Sequence, residues 1–314
     1  MKLKLLISPL SQGAFFEEYK TVAVQEFLAH FPHSSAELSH TGGLDFMEVC
    51  LDESDIDGVA RLSCIQGIFN AEHLTGLIPL SPNPGFILPS ALVDGWKYQG
   101  KTNERITQLA VHLGLRFCDT GKPPATLLDP MAGKGTTLLT GLRFGLNCTG
   151  VEQDFSALGA LEGHLKKQTH LHRLKHALSK GSIGRKSKGN KGKFVSCELS
   201  GHTLKLVCGD TREVPELLEH QRFDLIVCDL PYGVQFKGST RRTALATISA
   251  SAGGWVRSLQ NGGTMVLLFN TYQPSRKDLA EIFLSLNCRV HDFTIPHRMS
   301  ESIVRDVLVI QHGK

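Results

Sequence analysis

Two acidic turns carry the residue types from which group-transfer chemistry can be built. The first is Asp129-Pro130-Met131-Ala132-Gly133-Lys134-Gly135-Thr136. It ends an apolar run at Leu127 and Leu128, and its glycines let the backbone turn sharply and lie close to a ligand. Glu152 follows at the tip of the next expected strand, Asn147–Val151, where an acid suits the two hydroxyls of a ribose. The second turn is Asp229-Leu230-Pro231-Tyr232-Gly233, at the end of the apolar run Phe223–Cys228. There Pro231 stiffens the backbone and has no N–H. The first turn and Glu152 point to an adenosine-bearing cofactor.

Three cofactor classes fit a strand–glycine turn–helix–strand unit. A phosphate loop needs Gly where Leu128 stands, so Gly133-Lys134 does not make one. A dinucleotide fingerprint needs Gly where Leu138 stands. S-adenosylmethionine remains: it carries a sulfonium and an ammonium and no phosphate, so an acid ahead of the glycines serves it better than a lysine. An ordinary strand–helix turn would read similarly.

Asp129-Pro130-x-x-Gly133-x-Gly135-Thr136 resembles the first motif of class I S-adenosylmethionine-dependent methyltransferases. Asp229-Leu230-Pro231-Tyr232 resembles the Asp/Asn-Pro-Pro-Tyr motif of those that modify exocyclic amines of bases, with Leu230 replacing the first Pro. Gly100-Lys101-Thr102-Asn103 is similar to the segment that precedes the first motif in amino-methyltransferases and touches the methionine end of the cofactor. The resemblance covers roughly residues 96–311 and is to the tRNA guanine-N2 group. It implies that the cofactor is held by Thr102, Asn103, Asp129, Pro130, Gly133, Gly135, Thr136, Glu152, Asp210 and Thr211. Asp210 would accept from the adenine amine, or else cap the helix that starts near Val214. It also implies catalysis by Asp229, Leu230, Pro231 and Tyr232. An aromatic amine is a poor nucleophile because its lone pair is delocalised. Asp229 and the Leu230 carbonyl would accept its hydrogens and Tyr232 would stack on an extruded base. In-line placement is worth up to roughly 7–11 kcal/mol. The bland alternative for this stretch is a turn that merely ends a strand.

These turns need a scaffold, and the order of elements supplies one. Expected strands lie at Asn147–Val151, Thr203–Val207, Phe223–Cys228 and Thr264–Phe269, and expected helices at Thr136–Phe144, Asp154–Lys167, Thr243–Leu259 and Ser275–Leu286. Two closing strands are expected at Arg289–Ile295 and Ile303–Gln311. This reads as an α/β fold, a doubly wound Rossmann-like sheet with an antiparallel C-terminal hairpin. Asp129, Glu152, Asp210 and Asp229 all fall at strand carboxyl ends, where such sheets bind ligands. Thr102 can cap a helix with Ile106, Leu109, Ala110 and Leu113 on one face. Residues 1–95 read as a small α+β region, with strands at Leu3–Ile7 and Gly43–Leu51 and helices at Tyr19–Leu28 and Ser54–Leu62. That region is similar to the front part of base methyltransferases with an RNA-capturing THUMP domain, but is short for one. It would bind substrate or serve as a scaffold or dimerisation unit. Pro82–Pro89 reads as a linker, and the methyltransferase domain is expected over 96–314.

Composition is that of an ordinary globular chain: 314 residues, 41% hydrophobic, 20% charged, net charge +4. No stretch is apolar enough to span a membrane and no signal peptide is evident, which points to a cytoplasmic protein. The eight cysteines have no zinc-like spacing and read as reduced core thiols, and no metal is expected. Gly163–Cys197 holds ten Lys or Arg and no acid. Its leucines, from Leu161 to Leu178, can keep a helical face on the protein, while Gly181–Gly192 reads as flexible. This basic insert reads either as a solvated face or as an arm that tracks phosphates through Lys186, Lys188 and Lys191, with Lys237, Arg241 and Arg242 bordering the base. The expected partner is RNA, tRNA or another structured RNA, with room for a helper protein that delivers it. The alternatives are a DNA adenine-N6 enzyme, a non-catalytic RNA-binding subunit of the same fold, and protein glutamine methylation.

Overall fold

The structure is a computed structural model, described here for residues 1–8, 16–72, 76–96, 101, 103–183, 189–231, 241–300 and 303–313. The chain divides into two compact units, Met1–Phe86 with Phe293–Asp306, and Ile87–Asp292 with Val307–Lys314. The division falls inside the Pro82–Pro89 stretch, which forms no regular element.

The first unit is built on β1 (Lys2–Ile7), α1 (Phe16–His30), β2 (Ala36–Thr41), β3 (Leu44–Cys50), the short helix α2 (Ile56–Val59), β4 (Ile65–Asn70) and β5 (Ile78–Leu80). Its sheet runs β2-β3-β1-β4-β5. On β1, Leu3, Leu5 and Ile7 point into the core, as alternation in a half-buried strand requires. The helix expected at Ser54–Leu62 is only a 3-10 turn, Glu53–Asp55, and one turn of α2, which contains Gly58. Strands β2, β4 and β5 were not expected from the sequence.

The second unit begins with α3 (Ala91–Asp94) and α4 (Glu104–Phe117). Next come β6 (Thr126–Asp129), α5 (Thr136–Arg143), β7 (Asn147–Glu152), α6 (Ser156–Leu171), β8 (His176–Ser182), β9 (Lys193–Leu199) and β10 (His202–Cys208). The chain continues through α7 (Val214–Leu217), β11 (Phe223–Asp229), α8 (Arg241–Arg257), β12 (Leu259–Asn270), α9 (Arg276–Leu284) and β13 (Arg289–Val290); β14 (His297–Ser300) falls in the first unit, and β15 (Ile303–Gln311) enters the second at Val307. The sheet order is β13-β15-β12-β11-β6-β7-β10-β9-β8, with β14 beside β15. The pairs β6–β7, β7–β10, β6–β11 and β11–β12 are parallel, and β13–β15 is antiparallel. This is the expected doubly wound sheet, and its order reverses between β6 and β11. The first of the two expected closing strands is shorter than Arg289–Ile295, because only Arg289 and Val290 pair with β15, whereas the last spans Ile303–Gln311 as expected.

Both sheet faces are covered. Gly114 of α4 approaches Leu225 and Val266 closely on one face. On the other, Ile226, Cys228, Met265 and Leu267 pack with Trp255, Ile248, Leu279 and Phe283 from α8 and α9. Helix α8 runs through Gly253-Gly254 unbroken, and a Cβ on Gly254 would stand 3.3 Å from Pro215 Cδ.

The basic insert departs from expectation. Helix α6 stops at Leu171, which is exposed, and Arg173 adopts a left-handed backbone (φ 51°) that cannot continue it. The chain then forms the antiparallel pair β8–β9, in register from His176↔Leu199 to Ser182↔Lys193. So the described part of Gly181–Gly192 is a hairpin arm held to the sheet, not a free linker: Ile183 N–H donates to the Gly192 carbonyl (2.9 Å) and Gly192 N–H to the Cys208 carbonyl (2.7 Å). Its cations also find acids that flank the stretch. Lys180 and Lys166 both pair with Glu162 (2.6 and 2.7 Å), and Lys191 pairs with Glu213 (2.7 Å).

One buried acid sets the register of the two central strands. Asp224 Oδ2 accepts from Ala125 N–H (3.0 Å), Thr126 N–H (3.1 Å) and the Thr126 hydroxyl (2.8 Å), and the Asp224 N–H donates back to that hydroxyl (3.0 Å). This clasp joins the amino ends of β6 and β11, so that Leu225 pairs with Leu127 and Ile226 with Leu128. Asp224→Ala is expected to lower unfolding stability by roughly 1–3 kcal/mol, since it leaves the part-buried Ala125 and Thr126 amides without their partner. Urea denaturation checks this; a midpoint equal to that of the unchanged protein would refute the clasp.

Candidate active site

The carboxyl ends of the parallel strands carry both acidic turns. At the end of β6, Asp129 is only 2% exposed and its Oδ1 accepts from Met131 N–H (3.0 Å), which closes the turn through buried Pro130. Gly133 (φ 51°) and Gly135 (φ 95°) take left-handed backbones that a side chain would strain. A Cβ on Gly133 would meet nothing within 4 Å, so the loop has open space beside it. Gly135 precedes α5, whose first residue, Thr136, is buried.

Glu152 is tied to this loop. Its Oε2 accepts from Gly133 N–H (2.9 Å) and its Oε1 from Asp154 N–H (2.8 Å). Backbone bonds join neighbouring strand ends as well. Ala132 N–H donates to the Val151 carbonyl (3.0 Å) and Gly209 N–H to the Glu152 carbonyl (3.0 Å). A carboxylate oxygen has room for more than one donor, so Glu152 can hold the loop and still accept from a diol.

Gly150 was missed at the sequence level. A Cβ there would stand 2.7 Å from Ala132 Cβ and 2.7 Å from Leu138 Cδ1. The glycine loop reaches β7 only because that side chain is missing. The available signal was a glycine inside a strand, which often marks a close backbone approach.

Asp210 caps the 3-10 turn Thr211–Glu213. Its Oδ1 accepts from Arg212 N–H (2.9 Å), and the Arg212 guanidinium grips both oxygens. That guanidinium holds the carboxyl below the usual carboxylate range. The Thr211 hydroxyl accepts from the buried Trp255 indole N–H (3.1 Å). Asn103, rather than Thr102, is the N-cap of α4: its Oδ1 accepts from Arg105 N–H (2.9 Å) and Ile106 N–H (3.4 Å). Thr102 lies outside the described residues. Lys101 pairs with Glu104 and donates to the Val93 carbonyl.

The second turn leaves β11 after six buried residues, and Asp229 is the first that is partly exposed. Leu230 buries its side chain and its N–H donates to the Leu268 carbonyl (2.8 Å). Only its carbonyl is left for a ligand. Pro231 follows, partly exposed; Tyr232 lies outside the described residues. Of the expected phosphate contacts, Lys186, Lys188 and Lys237 also lie outside, and Arg241 and Arg242 begin α8.

The acid at the head of the first turn has an unusual environment. Burial, with a smaller contribution from the Glu152 charge, pushes the Asp129 carboxyl up to about 7, against the pull of Met131 N–H, the Thr137 hydroxyl and the Cys228 thiol. Burial likewise pushes the Cys228 thiol up. For an acid whose folded pKa is raised, the folded state holds the proton more tightly. Its contribution is therefore fully present below the unfolded value near 3.8 and lost as pH rises to about 7. The ionised form costs on the order of 4 kcal/mol. Asp129→Asn is expected to flatten stability between about pH 4 and 7 in denaturation measured across that range. An unchanged pH slope would contradict this. Gly150→Ala is expected to weaken donor binding about tenfold or more by pushing the loop off β7. Calorimetric titration with S-adenosylhomocysteine checks it, and unchanged affinity would contradict it.

The family model UPF0020, an RMKL-like methyltransferase domain, matches residues 108–286, which holds both turns. No curated protein matches the chain. Among solved structures, TrmN from Thermus thermophilus is 14% identical, with 99% of each chain covered and a TM-score of 0.46. The 16S rRNA N2 G1207 methyltransferase RsmC from the same organism, in complex with AdoMet and guanosine, is 17% identical. That match covers 95% of this chain and 62% of RsmC, with a TM-score of 0.43. A methyltransferase from Pyrococcus furiosus is 16% identical over 72% of this chain and 93% of its own, with a TM-score of 0.43.

Proposed function

The chain belongs to the UPF0020 family of RMKL-like methyltransferase domains, and from that premise we propose that it methylates an exocyclic amine of a nucleic-acid base, guanine N2 of a structured RNA such as tRNA. The methyl donor is S-adenosylmethionine. The observation that carries the acceptor reading is the Asp229-Leu230-Pro231 turn emerging from β11 beside the donor loop, at the point where strand order reverses.

The residues at that point fit the donor. Open space beside Gly133, two left-handed glycines and a carboxylate at the tip of β7 make a cradle without bulk. Gly133 and Gly135 would lie along the donor, Glu152 would accept from its ribose, and Asp129 would keep the turn in shape from beneath. Asp210 and Thr211 would border the adenine, with the Asp210–Arg212 pair opening or adjusting to admit it. Asn103 would face the methionine end while capping α4. Bound there, S-adenosylmethionine supplies an electrophilic methyl group on a sulfonium.

The acceptor side follows from hydrogen-bonding capacity. An aromatic amine has two N–H donors and a delocalised lone pair. Asp229 accepts one hydrogen and the Leu230 carbonyl the other, which draws the nitrogen toward tetrahedral geometry and directs its lone pair at the donor. Asp229 also takes the proton released when the new C–N bond forms. Pro231 holds the turn stiff, and Tyr232 would stack on the extruded base. Lys186 and Lys188, with Lys237, Arg241 and Arg242, would supply the positive charge for RNA phosphates, and Lys191 would join them by exchanging its Glu213 partner for a phosphate.

Incubation with labelled donor and separate tRNA, rRNA and DNA pools, followed by nucleoside analysis, tests this. Labelled N2-methylguanosine in RNA is expected; N6-methyladenine in DNA, or no label in any pool, would contradict it. Asp229→Ala is expected to keep donor binding and lose transfer by roughly 100-fold or more. Transfer at the unchanged rate would remove its assigned role.

A further inference from the structure

β12 brings a second feature to the acceptor side. Asp229 pairs with Leu268, and the ladder extends to the bond from Leu230 N–H to the Leu268 carbonyl. β12 ends at Asn270, so the residues after it emerge next to the acceptor turn. They form a closed turn. Gln273 N–H donates to the Asn270 carbonyl (2.9 Å) and Tyr272 N–H to Asn270 Oδ1 (3.4 Å). Pro274 is buried, and Ser275 caps α9 by accepting from Asp278 N–H. The flanks are thus anchored on both sides while Tyr272 is 62% exposed.

Single exposed aromatics are ordinary on protein surfaces. Position sets this one apart. In the second unit the other exposed aromatic among the described residues is Phe155 (42%), which follows Glu152 on the donor side and has the Lys193 ammonium 5.2 Å from its ring centre. Tyr272 stands on the opposite side of the strand-order reversal, beyond the strand that neighbours Asp229. A phenol ring held outward there offers a π-face to whatever flanks the reacting amine.

We propose that Tyr272 is a stacking platform for an unpaired nucleobase adjacent to the target base, which makes the Asn270–Gln273 turn part of the acceptor site. The proposal rests on the nucleic-acid reading above. Stacking tolerates any base, so the turn sets affinity and strand path rather than sequence. A base extruded from its helix leaves neighbours that have lost a stacking partner, and an exposed ring can replace it.

The test compares the unchanged protein with Tyr272→Phe and Tyr272→Ala, using the RNA pool that the unchanged protein labels. Tyr272→Ala is expected to raise the RNA KM about 5–100-fold, the equivalent of one lost base stack, with S-adenosylhomocysteine affinity unchanged. Tyr272→Phe keeps the ring and is expected to stay within about twofold. A short single-stranded RNA carrying 2-aminopurine should be quenched by the unchanged protein and by Tyr272→Phe but not by Tyr272→Ala. If RNA is labelled and Tyr272→Ala binds it within about twofold of the unchanged protein, the platform is wrong while the acceptor reading stands. A loss of S-adenosylhomocysteine affinity in Tyr272→Ala would also overturn it, by showing a structural effect. No label in any nucleic acid would remove the acceptor reading and this assignment together.

Discussion

The register between β6 and β11 is the constraint on which the site depends. β6 ends in the loop proposed to hold the donor and β11 in the turn proposed to hold the acceptor, so in that reading the offset between them decides whether a donor and an amine can meet. A one-residue slip in a sheet moves every side chain to the other face. Here the Asp224 carboxylate closes that freedom by taking three donors from Ala125 and Thr126. It lies at the amino ends of the strands, a strand length from the chemistry. Apolar packing alone would not fix the offset, since Leu225, Ile226, Leu127 and Leu128 are close to interchangeable in size and hydrophobicity. A directional set of hydrogen bonds is what distinguishes one register from the next.

At the opposite ends of the strands, a second set of hydrogen bonds holds the loops. Ala132 is bonded to Val151, Gly209 to Glu152, Gly192 to Cys208 and Leu230 to Leu268. Each loop therefore hangs from the strand beside it, and the hairpin β8–β9 joins the same rim through Gly192. The side-chain bonds of Asp129 and Glu152 complete the donor turn from below and from the side. A rim held in this way presents a preset shape to a ligand, so less binding free energy is lost in ordering the loop. Burying Asp129 costs stability when it is ionised, and the turn it holds is what that cost maintains.

Much of this was legible in the sequence for a simple reason. Parallel strands buried on both faces read as apolar runs, and their carboxyl ends read as acids and glycines, so β6, β7, β10 and β11 announced themselves. The UPF0020 match agrees with the methyltransferase reading. What was not legible depended on partners distant in the chain. Asp224 is the one acid in the run Phe223–Cys228, but its role needs Thr126. Gly150 needs Ala132. The β8–β9 hairpin read as a helical face up to Leu178 and a flexible basic stretch after it, because β8 is almost wholly exposed and has no apolar alternation to betray a strand. Counting no acid between Gly163 and Cys197 overstated the free charge, since Glu162 and Glu213 neutralise lysines from outside that window. The helix cap was read one residue early, at Thr102, because Thr and Asn both cap well and only backbone geometry separates them.

The central claim is that donor and amine meet above the junction of β6 and β11. A crystal structure with S-adenosylhomocysteine bound tests it most directly. The account predicts the ribose at about 3 Å from Glu152, the chain of the ligand over Gly133, and its sulfur turned toward Asp229 and Pro231. A ligand seated elsewhere on the sheet, or facing away from the Asp229 turn, would contradict it.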